Sequence, residues 1–173
     1  MVAESAYMLA FRLIHIMSGV IWVGAVFLVV WYIQPSARAL GPSAAPIMVE
    51  LLGKRKLAAF LLWAGGTTIG AGLFLYWRDW QLAGSLGDWV GSTYGAVLTV
   101  GSLLALAAFL LGLLALKPTL DRIVARLSSG SGPPSPEGMA ELQALQARAR
   151  RLSVTALALL LVAVAAMATA RYW

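Results

Sequence analysis

Of 173 residues, 61% are hydrophobic and 12% charged, and the net charge is +6, with a mean hydropathy of +0.83. That composition excludes a soluble domain of this size and marks an integral membrane protein. Cysteine is absent, which excludes disulfides, thiolate metal centres, iron–sulfur clusters and covalently attached c-type haem.

Residues 7–33, 57–77, 94–116 and 152–170 are each apolar enough and long enough to cross ~30 Å of hydrocarbon at ~1.5 Å per residue. The expected fold is all-α: a single domain over 1–173, built as an integral membrane four-helix bundle. The first span lies within "FRLIHIMSGVIWVGAVFLVVWYIQP" (11–35) and carries Arg12 and the chain's only histidine, His15. Its apolar run far exceeds that of a signal peptide, so it is expected to be retained. In the connection that follows, "LGPSAAPIMVELLGKRK" (40–56), Ser43 and Pro46 are start signals for a helix that would run straight into the second span. That span holds "GGTTIGAG" (65–72), in which Gly66 and Gly70 form a pair of small residues suited to close helix approach.

The third span leads into "LKPTLDRIVARL" (116–127), and "MAELQALQARARRL" (139–152) leads into the fourth. Both keep helical leucine spacing and read as amphipathic extensions. Between them "SSGSGPPSPEG" (128–138) is expected to form a flexible cytoplasmic loop. Basic residues set the orientation. Arg38, Lys54, Arg55 and Lys56 lie in the first connection, and Lys117, Arg122, Arg126, Arg148, Arg150 and Arg151 in the third; the second has only Arg78, between Asp79 and Asp88. Both termini are therefore expected outside. The positive charge is read as this topology signal and as a contact for anionic membrane lipids, with no nucleic acid as partner. Tyr7, Tyr76, Trp77, Trp80, Trp89, Tyr94, Tyr172 and Trp173 fall at outer span ends, as interfacial aromatic residues do.

The spans carry no Asp or Glu, which argues against a proton-coupled pump. What remains is Arg12 and His15. His15 lies roughly 12 Å below Tyr7 by helix rise, in the outer leaflet, with Arg12 one turn above on nearly the same face. A neutral imidazole can ligate haem iron, and an arginine nearer water can pair with a propionate. The same residues can instead snorkel to headgroups and hydrogen-bond across the bundle. Gly19 and Trp22 lie one and two turns below His15. At comparable depth are Gly65 to Gly72, Thr99 to Ser102, and Met167, whose thioether is either a second axial ligand or core filling. Arg78 and Arg171 map to the outer face and are further propionate candidates, or snorkel.

The run "RLIHIMSGVIWVGAVFL" (12–28) resembles the first-helix signature R-x-x-H-x-x-x-G-x-x-W-x-G of a superfamily of small four-span bacterial membrane proteins. These include CopD-like copper-resistance domains, the membrane part of cytochrome-type urate oxidases, and membrane-bound haem-containing protoporphyrinogen oxidase. The resemblance implies His15 as haem or metal ligand, Gly19, Trp22 and Gly24 as packing positions around it, and the bacterial inner membrane as location. The expected function is that of a membrane b-type haem protein in electron transfer or redox chemistry, with a redox partner or a quinone-like small molecule. Two alternatives stand beside it. One is a porphyrin-oxidising enzyme, for which the resemblance asks for a lysine near the second span, here Lys54 or Lys56; the tail after the first helix, "VVWYIQPSARA", departs from that group. The other is a copper-handling or assembly protein without catalysis, although Met8 and Met17 do not share a face with His15. A second imidazole could come only from another copy, in a homodimer.

Overall fold

The computed structural model describes residues 2–128 and 135–172. Among them every regular element is helical. Four helical stretches are long and apolar enough to cross a membrane, which makes the protein a multi-pass membrane protein by length and composition.

Helix α1 (Val2–Leu28) passes through a wide π-type turn at Val29–Ile33 into α2 (Gln34–Leu40). Pro35 sits in the first turn of α2; it lacks an N–H and its ring crowds the preceding carbonyl, and a widened turn relieves both conflicts. The third span repeats the device. Helix α6 (Thr93–Leu111) widens at Gly112–Leu116 and continues as α7 (Lys117–Ser128), with Pro118 in its first turn.

The first connection departs from expectation. A 3-10 turn at Gly41–Ala44, α3 (Ala45–Met48) and a π-type turn at Val49–Lys54 precede α4 (Leu57–Ala83). The helix does not run straight into the span, because Lys56 takes a left-handed conformation with φ of 52° and breaks it. Helix α4 also runs past residue 77 to Ala83. Gly84, with φ of 91°, then turns the chain into α5 (Leu86–Gly91), which Ser85 caps by accepting from the Asp88 N–H at 3.0 Å. Helix α8 (Pro136–Thr169) starts inside the stretch expected to be a loop. Ser135 caps it, accepting from the Gly138 N–H at 3.2 Å, with Pro136 at the first helical position. The remainder of that loop, residues 129–134, and Trp173 lie outside the described residues. The amphipathic extensions are as expected. α7 and the start of α8 pair, with Ile123 and Ala149 buried and Arg126 bonded to Glu141 at 2.6 Å.

Within the membrane region α1 packs along α4, and α6 packs along α8. The two pairs meet at Trp22, Ala64, Ala108 and Leu160, where Trp22 sets its edge against Phe109 with ring centroids 6.2 Å apart. Small residues fill the seams while Leu13, Val20, Trp63, Leu73 and Leu114 point outward. Close backbone approach at small residues, with large apolar side chains turned outward, is the packing that holds helices together in lipid.

One interhelical hydrogen bond ties the pairs together near the terminal end. Thr99 donates to the Gly95 carbonyl at 2.6 Å, so the Tyr76 hydroxyl is the donor to Thr99 Oγ1 at 2.8 Å. Tyr76→Phe is expected to cost about 0.6 to 1.5 kcal/mol, read as a small drop in the thermal midpoint of the detergent-solubilised protein.

Candidate functional site

His15 and Trp22 stand seven residues apart on α1. Opposite them, running antiparallel, Gly72 and Gly65 stand seven residues apart on α4. Each side chain fills the notch of one glycine. A Cβ on Gly72 would lie 2.8 Å from His15 Cε1 and 2.9 Å from Nδ1, and one on Gly65 would lie 2.7 Å from Trp22 Cε2. Both are closer than carbon atoms tolerate, so only glycine admits these rings. Between the two notches Gly19 faces Thr68, where a Cβ would meet Cγ2 at an ordinary 3.5 Å. One turn from His15, towards the termini, Phe11 and Phe74 stack with centroids 3.9 Å apart.

Polar atoms in this seam are paired. His15 Nδ1 lies 2.8 Å from the backbone carbonyl of Thr68, and since a carbonyl only accepts, Nδ1 carries the proton. In the neutral ring Nε2 is then the nitrogen with the free lone pair. Ser18 Oγ donates to the Ile14 carbonyl at 2.6 Å. Thr68 Oγ1 lies 2.9 Å from Ser18 Oγ and 2.8 Å from the Ala64 carbonyl. Ser18 and Thr68 are both buried, so these bonds spare two hydroxyls an unpaired place in an apolar layer.

The expected site residues divide. His15, Gly19 and Trp22 lie together on the α1–α4 seam. The glycines that receive the two rings are Gly72 and Gly65; a Cβ on Gly66 would make ordinary contact with Phe109 at 3.8 Å, and one on Gly70 would meet nothing within 4 Å. Gly24 likewise faces open space. Met167 belongs to the other helix pair, where its Cγ would lie 3.3 Å from a Cβ on Gly101. Arg12 is exposed and lines an open cleft with Asp79 at the terminal end. Arg78 is half-buried beside Asp79 on α4, and the Arg171 guanidinium lies over the Tyr172 ring at 5.1 Å.

Sequence reasoning missed Thr68, Ser18, Gly65 and Gly72 as partners of His15 and Trp22. The signal was present as matched seven-residue spacings on two consecutive antiparallel spans. Ligand supply is sparse. Among the described residues no three of His, Cys, Asp or Glu cluster as a metal site. Lys54 pairs with Glu50 at 3.2 Å, and Lys56 lies ~24 Å along the helix rise from Gly72. His15 is thus the imidazole of this seam, with Lys54 and Lys56 at the far end of the span.

No protein-family model, curated protein or solved structure matches the chain.

Proposed function

We propose that the protein is a four-span protein of the bacterial inner membrane, termini outside, that binds one b-type haem through His15 Nε2 and acts in electron transfer or redox chemistry. The observation that carries this reading is the bond from His15 Nδ1 to the Thr68 carbonyl at 2.8 Å. Metal-ligating histidines characteristically commit their other nitrogen to a carbonyl or carboxylate, which fixes the tautomer and raises the basicity of the ligating atom. Thr68 holds the proton on Nδ1, Gly72 makes room for the ring, and Trp22 closes the seam below it. Bound haem would supply a one-electron couple whose potential depends on its ligand and surroundings. The orientation rests on the basic residues that gather in the first and third connections.

The test is an absorption spectrum of the detergent-purified protein with a pyridine haemochrome assay. A Soret band and stoichiometric haem are expected. A colourless preparation from haem-replete cells would overturn the proposal. Met167 is left out of the ligand set, because it packs on Gly101 in the other helix pair. Met167→Leu, nearly isosteric, is thus expected to leave the spectrum unmoved, and a shift would restore Met167 as second ligand.

The same contacts favour a second reading, in which His15 only locks α1 to α4 and no cofactor binds. His15→Asn separates the two. An amide keeps a donor for the Thr68 carbonyl, so a lock survives it, whereas a haem site loses its ligand.

A further inference from the structure

A cleft of about 420 Å³ opens at the terminal end of the bundle, away from the His15 seam. Arg12, Asp79, Asp88, Trp89, Ser92 and Tyr94 line it. Opposite charges share the cleft: Arg12 and Arg78 both act electrostatically on Asp79, while among the described residues no contact ion pair joins Arg12 to either aspartate. Asp88 is already engaged, accepting from the Ser85 hydroxyl at 2.6 Å, which among the described residues leaves Asp79 as the lining carboxylate with no hydrogen-bond donor. The wall carries one more unused group. Trp89 is 5% exposed, and among the described residues its indole N–H has no acceptor, an arrangement that costs free energy unless something supplies one. Leu82 forms an apolar edge at 68% exposure.

A guanidinium and a carboxylate held apart across one wet cleft are complementary to a ligand carrying the same two charges in reverse order. We propose that this cleft binds the phosphoethanolamine headgroup of a phospholipid. The phosphodiester lies towards Arg12 and the Trp89 N–H, the ammonium towards Asp79, and the acyl chains run over Leu82. A primary ammonium is selected over a trimethylated one because Asp79 offers acceptor oxygens that need N–H donors. Anionic headgroups are disfavoured because two carboxylates share the cleft with one guanidinium. The proposal does not depend on the haem reading.

The experiment titrates the full chain, purified in mild detergent, with phosphatidylethanolamine, phosphatidylcholine and phosphatidylglycerol of identical acyl chains, and counts retained lipid by native mass spectrometry. One phosphatidylethanolamine is expected to be retained, about tenfold tighter than the other two, the loss of one charge-assisted hydrogen bond being worth about that factor. Asp79→Asn should abolish the preference and Arg12→Gln should weaken retention of all three lipids alike, while Lys54→Gln at the far end changes neither. A photo-crosslinking phosphatidylethanolamine on the unaltered chain, independent of any variant's folding, should mark residues 79–94. Equal retention of the three lipids, an unchanged preference in Asp79→Asn or unchanged retention in Arg12→Gln at wild-type melting temperature, or crosslinks elsewhere would overturn the assignment. Soluble glycerophosphoethanolamine is expected to compete only at far higher concentration; saturation at lipid-like concentrations would make the free phosphoester the ligand and overturn the lipid. If Arg12→Gln strips haem from a haem-bearing preparation yet leaves lipid retention unchanged, Arg12 serves a propionate and the headgroup assignment fails.

Discussion

His15→Ala is expected to yield a bundle of undiminished helicity that retains no haem, against full occupancy in the wild type. The substitution removes the imidazole and with it the bond to the Thr68 carbonyl. The packing part of the loss is modest, about 1 to 3 kcal/mol for a buried hydrogen-bonding side chain, because Trp22 in the Gly65 notch and the Phe11–Phe74 stack still hold α1 to α4. On the proposed haem reading, loss of the iron ligand is all-or-none. His15→Gly with free imidazole in the buffer separates the two contributions, since a diffusible ligand can restore colour without restoring a side chain that ties α1 to α4. Recovery of the Soret band with imidazole is the expected result. Full haem occupancy in His15→Ala would exclude this residue as the ligand.

The second large effect concerns the glycines of α4, and it sorts by notch rather than by sequence. Gly65→Ala places a methyl group 2.7 Å from Trp22 Cε2 and 3.1 Å from Phe109 Cδ2, and Gly72→Ala places one 2.8 Å from His15 Cε1. These neighbours are rigid rings wedged against other helices, so α1 must move away. Overpacking of this kind costs about 1 to 3 kcal/mol, set against a gain of up to ~1 kcal/mol for replacing glycine by alanine inside a helix. Net destabilisation is expected at both positions, along with loss of the His15 contact in Gly72→Ala. Gly70→Ala is the control. Its methyl group meets nothing within 4 Å, so it should be neutral or slightly stabilising. Thermal unfolding of the three variants in detergent checks the order, and equal behaviour of Gly70→Ala and Gly65→Ala would refute the notch description.

The four spans were legible because an apolar run long enough to cross hydrocarbon has few other fates. Trp22 and His15 were legible because a bulky ring and a polar ring repeated at helical spacing on one apolar helix have to face a neighbour. Their partners were harder to read. Gly66 and Gly70 have the same small-residue spacing as a packing face, and only the rotation of α4 about its own axis decides that Gly65 and Gly72 point at α1 instead. That rotation is set by contacts with two other helices, Phe109 on α6 among them, which no local pattern encodes. The break before α4 was missed for a similar reason, since a lysine in the left-handed region carries no propensity signal. The start of α8 inside a Ser/Gly/Pro stretch is the opposite case: composition suggested a loop, but Ser135 and Pro136 are a helix start.

The two wide turns at Val29–Ile33 and Gly112–Leu116 have a mechanical consequence. They lie at one level of the molecule, for Val29, Gly112, Leu116 and Ser153 all border the same small apolar cavity, and Gln34 reaches Ser153 at 3.0 Å. Each wide turn is followed by a proline that withholds a hydrogen bond, which makes it a compliant point in an otherwise stiff rod. Helix α4 begins near that level, after its own break. Only α8 crosses it uninterrupted, with 34 residues spanning ~51 Å. Three struts are jointed and one is not. Beyond that level α7 stays fastened to α8 through buried Ile123 and Ala149 and the Arg126–Glu141 bond, so α8 is the one unbroken rod that joins this pair to the rest of the bundle.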